Sequence, residues 1–505
     1  MGVLDTLKKF GGCAGGVQIY FAAKKAAEIA NLGSPRRTLK PRTVRLLGPL
    51  LPKLNFGKAG FHVNATLPGA WYNPDVDAMT FGHTVYFKHS GIQKTQAGLR
   101  LLAHELTHTD QVRRRNNDED KFACDYGVGY LEAGSYEGNP LEREARAVAN
   151  SRPLTIPPAN TWSASTPSAL SSPAEPGKDP ATAPAAAGDP SVYARGYYRH
   201  LVYRDVQGHI QELFWDGAWH HHDLTRATGA PPAAGDPFGY ALGDTQHVVF
   251  RGADGRIHEL YWNGGWHAGD LSARTGAPPA AGEPHGYALG KTRHIVFRGT
   301  DGRIHELWWD GTWHPAVDLS ARTGAPPAAG DPFGYALGDT QHVVFRGTDG
   351  HVHELWWDGT WHPAVDLSAR TGAPPAAGEP RAHTLGRTQH IVFQGTGGRI
   401  HELWWDGTWH PAVDLSARTG APPAASDPFS YSFIGGQHVV FRGKDGHAHE
   451  LWWDGTWHPA VDLSARTGAP GAAGKPAGYT HFEAQILAHR DGGGRIQELF
   501  WERFD

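Results

Sequence analysis

One unit of 47 or 48 residues occurs seven times in the C-terminal two-thirds of this chain. The glutamate of a Glu-Leu step marks each copy, at Glu212, Glu259, Glu306, Glu354, Glu402, Glu450 and Glu498. A fixed period of this length, built of short strands, is typical of β-propellers, in which the number of copies sets the number of blades. The repeat therefore predicts an all-β, seven-bladed propeller over residues 186–505.

Each copy divides into four predicted strands at turn signals. In the third copy these are GYALG, HIVFRG, RIHELWWD and TWHPAVDLS, followed by the connector ARTGAPPAAG. Asp301-Gly302 and Asp310-Gly311 favour tight hairpins. The seventh copy stops before the segment WHxxxDLS. Either blade seven lacks a strand, or an upstream segment between Thr161 and Leu170 closes the ring.

A chain of 505 residues is too long for one hydrophobic core. We divide it into an N-terminal helical segment (1–34), a non-repetitive α+β domain (35–150), a linker rich in Pro, Ala and Ser (151–185) and the propeller. The net charge of -4 gives no reason to expect nucleic acid or an anionic membrane as partner. Two cysteines, Cys13 and Cys124, give no disulfide framework, so packing is expected to hold the fold.

No segment has the length of a transmembrane helix. The stretch from Phe10 to Ala23 is short, rich in glycine and interrupted by Gln18, and we interpret it as a helix rather than a secretory signal. If the protein leaves the cell, it therefore needs a route other than the Sec pathway.

The sequence HELTH at His104–His108 predicts a metal site in the α+β domain. Leu99, Leu102 and Leu106 have helical spacing, so the two histidines share one helix face. Two imidazoles at this spacing bind one Zn²⁺, with Glu105 between them as the catalytic base. The helix candidate NPLEREARAVAN offers Glu142 as the third metal ligand, with Glu144 as the alternative.

Residues 35–150 resemble the zincin-like DUF4157 domain, through FGHTVYFKHSG, LLAHELTHTDQ and the late ExxA helix. The resemblance implies a gluzincin-type zinc metallopeptidase that hydrolyses a peptide or protein substrate. It also implies an association with extracellular contractile injection systems. The alternative is a domain without catalytic activity that docks or loads the chain onto such a system.

Charged and aromatic residues recur with the repeat. An arginine lies eight residues before the glutamate in six copies, at Arg204, Arg251, Arg298, Arg346, Arg442 and Arg490, whereas the fifth copy has Gln394. A tryptophan follows the second turn at Trp219, Trp266, Trp313, Trp361, Trp409 and Trp457. An Arg–Glu pair beside an aromatic ring suits a sugar, whose hydroxyls and apolar face they can both engage. The alternative is that these residues cement one blade to the next.

The repeat resembles the bacterial propeller lectins of the Photorhabdus PLL type and, more distantly, the fungal fucose-specific lectins, through VVFRG, DGxxHELWWDG and WxxxxDLS. The resemblance implies glycan binding, with fucose or a methylated sugar as ligand. The combined prediction is a bacterial, glycan-binding zinc metalloprotease of the effector or toxin type. We expect it to be exported by a non-Sec route, or to be cytoplasmic before release, and to act outside the cell. The alternatives are a non-enzymatic carbohydrate-binding protein and a protein–protein scaffold.

Overall fold

The computed structural model describes residues 12–32, 34, 36–67, 77–88, 96–133, 136–151, 163–165, 183–216, 219–481 and 484–502. The chain forms two compact units, Met1–Pro157 and Pro158–Asp505. Most of the predicted linker 151–185 lies outside the described residues. None of the described helices is both long and apolar enough to cross a membrane.

The N-terminal unit combines helices with a small mixed sheet, as predicted. Its helices are α1 (Gly12–Ala30), α2 (Pro41–Leu47), α3 (Gln96–Arg113), α4 (Glu119–Ala133) and α5 (Pro140–Asn150), with a 3₁₀ turn at Gly48–Leu50. Its strands are β1 (Arg37–Thr38), β2 (Gly60–His62), β3 (Ala78–Phe81) and β4 (Thr84–Phe87), in the order β1-β2-β4-β3. Strands β2 and β4 are parallel, and the other pairs are antiparallel. Helix α3 packs against both α5 and β3, and these contacts define the site described below.

Cys13 on α1 and Cys124 on α4 form a disulfide, so the prediction that packing alone holds the fold is wrong. The two helices approach closely at Gly16, where any side chain would clash: a Cβ atom there would lie 2.3 Å from the carbonyl oxygen of Ala123. The cysteines are separated by 111 residues. Neither the spacing nor the count of cysteines could reveal their contact, which depends on the packing of α1 on α4.

The C-terminal unit is the predicted propeller, with seven four-stranded antiparallel sheets. Its strands, blade by blade, are Ser191–Arg195, Tyr198–Arg204, Ile210–Trp215 and Trp219–Asp223; Phe238–Leu242, Thr245–Arg251, Ile257–Trp262 and Trp266–Asp270; His285–Leu289, Thr292–Arg298, Ile304–Trp309 and Val317–Asp318; Phe333–Leu337, Thr340–Arg346, Val352–Trp357 and Val365–Asp366; Arg381–Leu385, Thr388–Gln394, Ile400–Trp405 and Val413–Asp414; Phe429–Phe433, Gly436–Arg442, Ala448–Trp453 and Val461–Asp462; Ala477–His481, Ala484–Arg490 and Ile496–Glu502 with Ser163–Ser165.

Blade seven is completed by the upstream strand Ser163–Ser165, which pairs antiparallel with Glu498–Phe500. Of the two alternatives for the seventh copy, closure by an upstream segment is therefore confirmed. Three residues of the predicted linker thus belong to the propeller. Thr161, Trp162 and residues 166–170 lie outside the described residues.

The fourth strand differs from its prediction. In blades one and two it has five residues, but in blades three to six only two, as in Val317–Asp318. The shorter copies carry a His-Pro step such as His314-Pro315. Proline has no N–H to donate to a β ladder, so pairing breaks there.

A short helix then begins in each of blades one to six, at Leu224–Thr228, Leu271–Thr275, Leu319–Thr323, Leu367–Thr371, Leu415–Thr419 and Leu463–Thr467. In blade three, Asp318 caps its first turn and Gly324 ends it with φ 69°. Part of the predicted fourth strand and of the connector is therefore helical.

A ring of side chains links the seven innermost strands. The residue before the proline that precedes each innermost strand is acidic in six blades and lysine in the seventh: Asp189, Asp236, Glu283, Asp331, Glu379, Asp427 and Lys475. Each acidic side chain accepts a hydrogen bond from the backbone N–H of the preceding blade, as in Asp189 N to Asp236 Oδ2 at 3.0 Å. The charged ring thus fastens successive blades around the axis.

Candidate metal centre and blade junctions

Three side chains of the N-terminal unit converge on one point. His104 and His108 lie on α3, one turn apart, and Glu142 lies in the first turn of α5. His104 Nε2 is 3.0 Å from Glu142 Oε2, and His108 Nε2 is 3.3 Å from Glu142 Oε1. One ligand atom from each of the three lies within 4.8 Å of the other two. The structure therefore brings together the predicted set His104, His108 and Glu142.

Two neighbouring residues orient this group. His108 Nδ1 lies 2.9 Å from Gln111 Oε1, and the Gln111 amide nitrogen donates to the Leu141 carbonyl on α5. An acceptor at Nδ1 holds a proton there, so that Nε2 is the nitrogen that can give its lone pair to a metal ion once the proton it shares with Glu142 is displaced. Tyr126 on α4 donates its hydroxyl hydrogen to Glu142 Oε1 at 2.7 Å.

Burial and the Glu142 carboxylate together shift the pKa values of the ionisable groups at this site. Burial alone would lower the pKa of His108, but the hydrogen bond to Glu142 and the charge of Glu142 outweigh it and raise that pKa to about 9. Burial alone would raise the pKa of Glu142, yet the two histidines hold it well below its usual range. Burial and the Glu142 charge raise the pKa of Tyr126, so this hydroxyl keeps its proton.

Glu105 lies on the same helix between the two histidines and is 5% exposed. Thr80 on β3 donates its hydroxyl hydrogen to Glu105 Oε2 at 2.6 Å. The same hydroxyl lies 3.1 Å from the backbone carbonyl of Glu105. Strand β3 therefore fixes the Glu105 carboxylate from the side of the sheet.

The alternative third ligand, Glu144, is directed elsewhere. Its carboxylate pairs with Arg114 and accepts a hydrogen bond from the Gln111 amide. It lies on the exposed side of α5, whereas Glu142 is 2% exposed.

The donor set fits a zinc ion. Two imidazole nitrogens and one carboxylate are ligands that Zn²⁺ prefers, and three protein ligands leave a fourth position open. Glu142 Oε2 is buried and, although His104 Nε2 lies 3.0 Å away, it accepts no well-aligned hydrogen bond from the described residues. A buried carboxylate oxygen without a partner is costly, and a cation at this point would satisfy it.

The repeated glutamates are also buried, and six of the seven face a histidine. In blades one to six, histidine Nδ1 lies 2.8 to 2.9 Å from a glutamate oxygen, in the pairs His200–Glu212, His247–Glu259, His294–Glu306, His342–Glu354, His390–Glu402 and His438–Glu450. The glutamates are 2% to 4% exposed. Burial alone would raise the pKa of Glu212, but hydrogen bonds from His200 and His222 lower it to about 2.

The expected side-by-side contact between each arginine and the glutamate of its own copy is wrong. Glu212 lies opposite Val202, so Arg204 is two positions to one side and His200 two positions to the other. Arg204 instead lies 3.6 Å from Asp236 of the inner ring, and Arg298 lies 3.4 Å from Asp331. Arg346 and Arg442 donate to backbone carbonyls at 3.5 and 3.2 Å.

A different arginine meets the glutamate at two blade junctions. Arg293 of blade three lies 2.9 Å from Glu259 of blade two, and Arg199 of blade one lies 2.9 Å from Glu498 of blade seven. The other five copies have glutamine at this position, at Gln246, Gln341, Gln389, Gln437 and Gln485. Our sequence reasoning missed these residues. The twelve-residue spacing of histidine and glutamate, repeated six times, was the signal that could have pointed to the true partner.

The predicted tryptophans lie at the blade junctions. The Arg293 guanidinium is 5.1 Å from the Trp313 ring and 4.2 Å from the Trp309 ring. Trp266, Trp313, Trp361, Trp409 and Trp457 are partly exposed and pack against apolar clusters that span two blades. Trp219 is 7% exposed. These rings pack between neighbouring blades and stabilise their junctions, and five of them are also partly exposed at the surface.

Comparison with known proteins separates the two units in the same way. Residues 50–116 match the model of the eCIS core domain, which covers His104, Glu105 and His108 but ends before Glu142. No curated protein sequence matches this chain.

Among solved structures, a lectin of Burkholderia pseudomallei aligns with a TM-score of 0.50 and 13% identity, over 68% of this chain and 96% of its own. The six-bladed fungal lectin of Aleuria aurantia, described as having a novel fucose recognition mode, aligns at 0.38 with 16% identity, over 52% and 90%. AofleA of Arthrobotrys oligospora aligns at 0.39 with 13% identity, over 60% and 90%. The first of these likenesses shows that the C-terminal unit has a propeller fold of the kind found in lectins.

Proposed function

We propose that this chain is a zinc-dependent peptidase, carried as a payload of an extracellular contractile injection system and directed to glycosylated surfaces by its propeller. The convergence of His104, His108 and the buried Glu142 on one point carries the enzymatic part. The match of residues 50–116 to the eCIS core domain supports the part that concerns the injection system.

His104, His108 and Glu142 would hold the zinc ion, which would supply Lewis acidity toward the scissile carbonyl. Glu105 serves as the base that accepts a proton from the water attacking that carbonyl carbon and passes it to the leaving amine as the C–N bond breaks. The hydroxyl of Thr80 holds one oxygen of Glu105 at 2.6 Å, so the carboxylate is positioned before substrate arrives. Tyr126 and Gln111 keep Glu142 and His108 in their orientation through the hydrogen bonds described above.

The variant Glu105→Gln tests the enzymatic role. It keeps the shape and the zinc ligands but removes the base, so cleavage of a denatured protein such as casein should fall by a factor of about 10² or more. Zinc content should stay unchanged. Glu144→Gln is the matched control, because Glu144 lies on α5 near the site but faces Arg114. Equal cleavage by wild type and Glu105→Gln would remove the proposed base.

For the propeller we propose glycan binding through the partly exposed tryptophans at the blade junctions. The buried glutamates cannot reach a ligand, so in this proposal they hold the junction while Trp266, Trp313, Trp361, Trp409 and Trp457 offer ring faces to a sugar. Arg204 and Arg298, which face the inner ring and are partly exposed, are the candidate hydrogen-bond donors, whereas the junction arginines Arg199 and Arg293 are buried like the glutamates. Several equivalent weak sites would add avidity on a densely glycosylated surface.

A glycan array that includes fucosylated and O-methylated sugars would identify the ligand. Titration of the best ligand should then show one site fewer in Trp361→Ala than in wild type, with the affinity of the remaining sites unchanged. No sugar bound by wild type, together with a protein captured in pulldown, would favour a protein–protein scaffold instead.

A second candidate function, docking without catalysis, is favoured by where the match to the eCIS core domain ends. The eCIS core match ends at residue 116 and so does not include Glu142. In this alternative the N-terminal unit docks the chain onto the injection apparatus and has no catalytic role. Delivery and toxicity that persist in Glu105→Gln, with loading lost only on deletion of residues 50–116, would support it.

A further inference from the structure

The outer turn of the blades carries a second set of potential metal ligands. In blades two, three, four and six, an aspartate opens the turn between the second and third strands, at Asp254, Asp301, Asp349 and Asp445. Two residues later blades two and three have arginine, whereas blades four and six have histidine. The aspartate that ends the fourth strand faces this residue in all four blades. The same frame therefore holds either a guanidinium or an imidazole.

In blades two and three the arginine supplies a permanent cation. Arg256 Nη1 lies 2.6 Å from Asp270 Oδ2, and Arg303 Nη1 lies 2.6 Å from Asp318 Oδ2. In blades four and six, His351 Nδ1 and His447 Nδ1 each lie 2.7 Å from the equivalent aspartate, Asp366 or Asp462. Imidazole is shorter than the arginine side chain and is itself a metal ligand.

Three ligand atoms converge in each of these two blades. One atom each from Asp349, His351 and Asp366 lie within 4.8 Å of one another, and the same holds for Asp445, His447 and Asp462. The side chains are 33% to 44% exposed, so water can complete the coordination of an ion.

The carboxylates are already oriented by neighbours that a metal would not displace. Asp349 lies 3.0 Å from Nε2 of the buried His353, and Asp366 Oδ1 accepts the N–H of Ala369 at 2.8 Å. The equivalent contacts in blade six are 2.9 Å from His449 and 2.8 Å from the N–H of Ala465. Such outer contacts fix ligand geometry in metal sites.

We propose that blades four and six each bind one divalent transition-metal ion of the zinc class, through Asp349, His351 and Asp366 and through Asp445, His447 and Asp462. One imidazole with two carboxylates suits Zn²⁺, whereas Mg²⁺ and Ca²⁺ favour oxygen ligands only. The ion takes the place that a guanidinium holds in blades two and three. It joins the turn before the third strand to the fourth strand, which has only two residues in these blades.

The remaining blades lack the full set in the sequence. Blade one has His209 and Asp223, but Gln207 stands where the turn aspartate would be. Blade five has Gly397 at that position and Arg399 two residues later. The proposal therefore predicts two propeller sites per chain.

Zinc titration of the chelator-treated full chain, followed by desalting and elemental analysis, tests this. The double variant His351→Arg/His447→Arg should bind two zinc ions fewer per chain than wild type. Arginine is the residue that blades two and three carry there, so the fold is expected to tolerate it. In the opposite direction, Arg303→His gives blade three the three ligands of blade four and should add one zinc ion.

Equal zinc stoichiometry in wild type and the double variant, or no gain in Arg303→His, would overturn the proposal. The titration is repeated in the presence of magnesium or calcium. If either ion abolishes the difference in bound zinc between wild type and the double variant, the choice of a zinc-class metal would be overturned. Both comparisons are differences between full-length chains that share an intact His104–His108–Glu142 group. Their outcome is therefore independent of whether the N-terminal unit binds zinc.

Discussion

Among the described residues, the N-terminal unit contains one buried His–His–Glu group and the propeller six buried His–Glu pairs, and the two arrangements differ in what surrounds them. Glu142 Oε2 lies 3.0 Å from His104 Nε2 but accepts no well-aligned hydrogen bond from the described residues. In the propeller, His200 and His222 bond separate oxygens of Glu212, and His247 and Arg293 both bond Glu259 Oε1. A satisfied pair holds a fold together, whereas a buried carboxylate with spare bonding capacity points to a ligand. The comparison teaches that repetition of a charged residue is weak evidence for function.

The largest expected effect separates the two acidic residues of α5. Glu142→Ala removes a proposed ligand and should weaken zinc binding at the N-terminal site by roughly 100-fold or more, beyond the range typical of outer contacts. Glu144→Ala removes a surface ion pair with Arg114 and one of two acceptors of the Gln111 amide, which keeps its bond to the Leu141 carbonyl, and should leave zinc affinity within about twofold. Competition with a chromogenic zinc chelator measures both. Equal weakening of zinc binding in the two variants would contradict the assignment of Glu142, rather than Glu144, as the ligand from α5.

The next prediction compares two blade junctions. Glu259→Ala leaves the Arg293 guanidinium buried without its partner and should lower the free energy of unfolding of the propeller by about 3–5 kcal/mol. Glu306→Ala removes the partner of His294, and blade four has the neutral Gln341 at the position that Arg293 occupies in blade three. This variant should lower the free energy of unfolding by about 1–3 kcal/mol. Urea unfolding followed by tryptophan fluorescence gives both values. A larger loss in Glu306→Ala would contradict the structural role assigned to the arginine.

A third prediction concerns the inner ring and pH. Burial raises the pKa of Asp236, Glu283, Asp331 and Asp427. A raised folded-state pKa means that these groups contribute stability below their unfolded pKa of about 4, and that this contribution is lost as pH rises through the raised pKa. At pH 7 the positive charge of Lys475 offsets the negative charge of the ionised ring carboxylates. Lys475→Met should therefore lower the free energy of unfolding of the propeller at pH 7 by about 1 kcal/mol.

The same variant should come closer to wild type as pH falls from 7 toward 4, because the raised pKa values let these carboxyls take up protons above the pH at which unfolded carboxyls do. Thermal unfolding at the two pH values measures the difference. Glu212 has the opposite sign, since its lowered pKa of about 2 gives stability above the unfolded pKa of about 4.5 that is lost on acidification toward pH 2. A pH-independent effect of Lys475→Met would contradict the role of the ring charges.

The smallest effect is expected at the fourth strand of blade three. Pro315→Ala restores a backbone N–H, so the ladder can lengthen from two residues toward the five seen in blade two. The gain in hydrogen bonding opposes the greater freedom of the unfolded chain, so stability should change by less than about 1 kcal/mol. Hydrogen exchange of residues 313–318 should slow relative to the equivalent segment of blade four, which keeps its proline.

Sequence patterns predicted the propeller because period, turn residues and strand alternation all act locally along the chain. The HELTH helix was predictable for the same reason, and the downstream helix with Glu142 followed from its spacing and Pro140. The arginine partners were not predictable, because Arg204 and His200 are both two positions from the residue opposite Glu212. The Cys13–Cys124 disulfide and the Arg293–Glu259 pair depend on how separate elements pack, which no local pattern encodes.

The central claim is that His104, His108 and Glu142 bind zinc. The most direct test is the zinc content of the full chain, purified without chelators, in a His351→Arg/His447→Arg background that lacks the proposed propeller sites. Our account predicts close to one zinc ion per chain in this background and none when His104→Ala is added. Equal zinc content with and without His104→Ala, or no zinc in either, would contradict it and leave the N-terminal unit without its proposed metal centre.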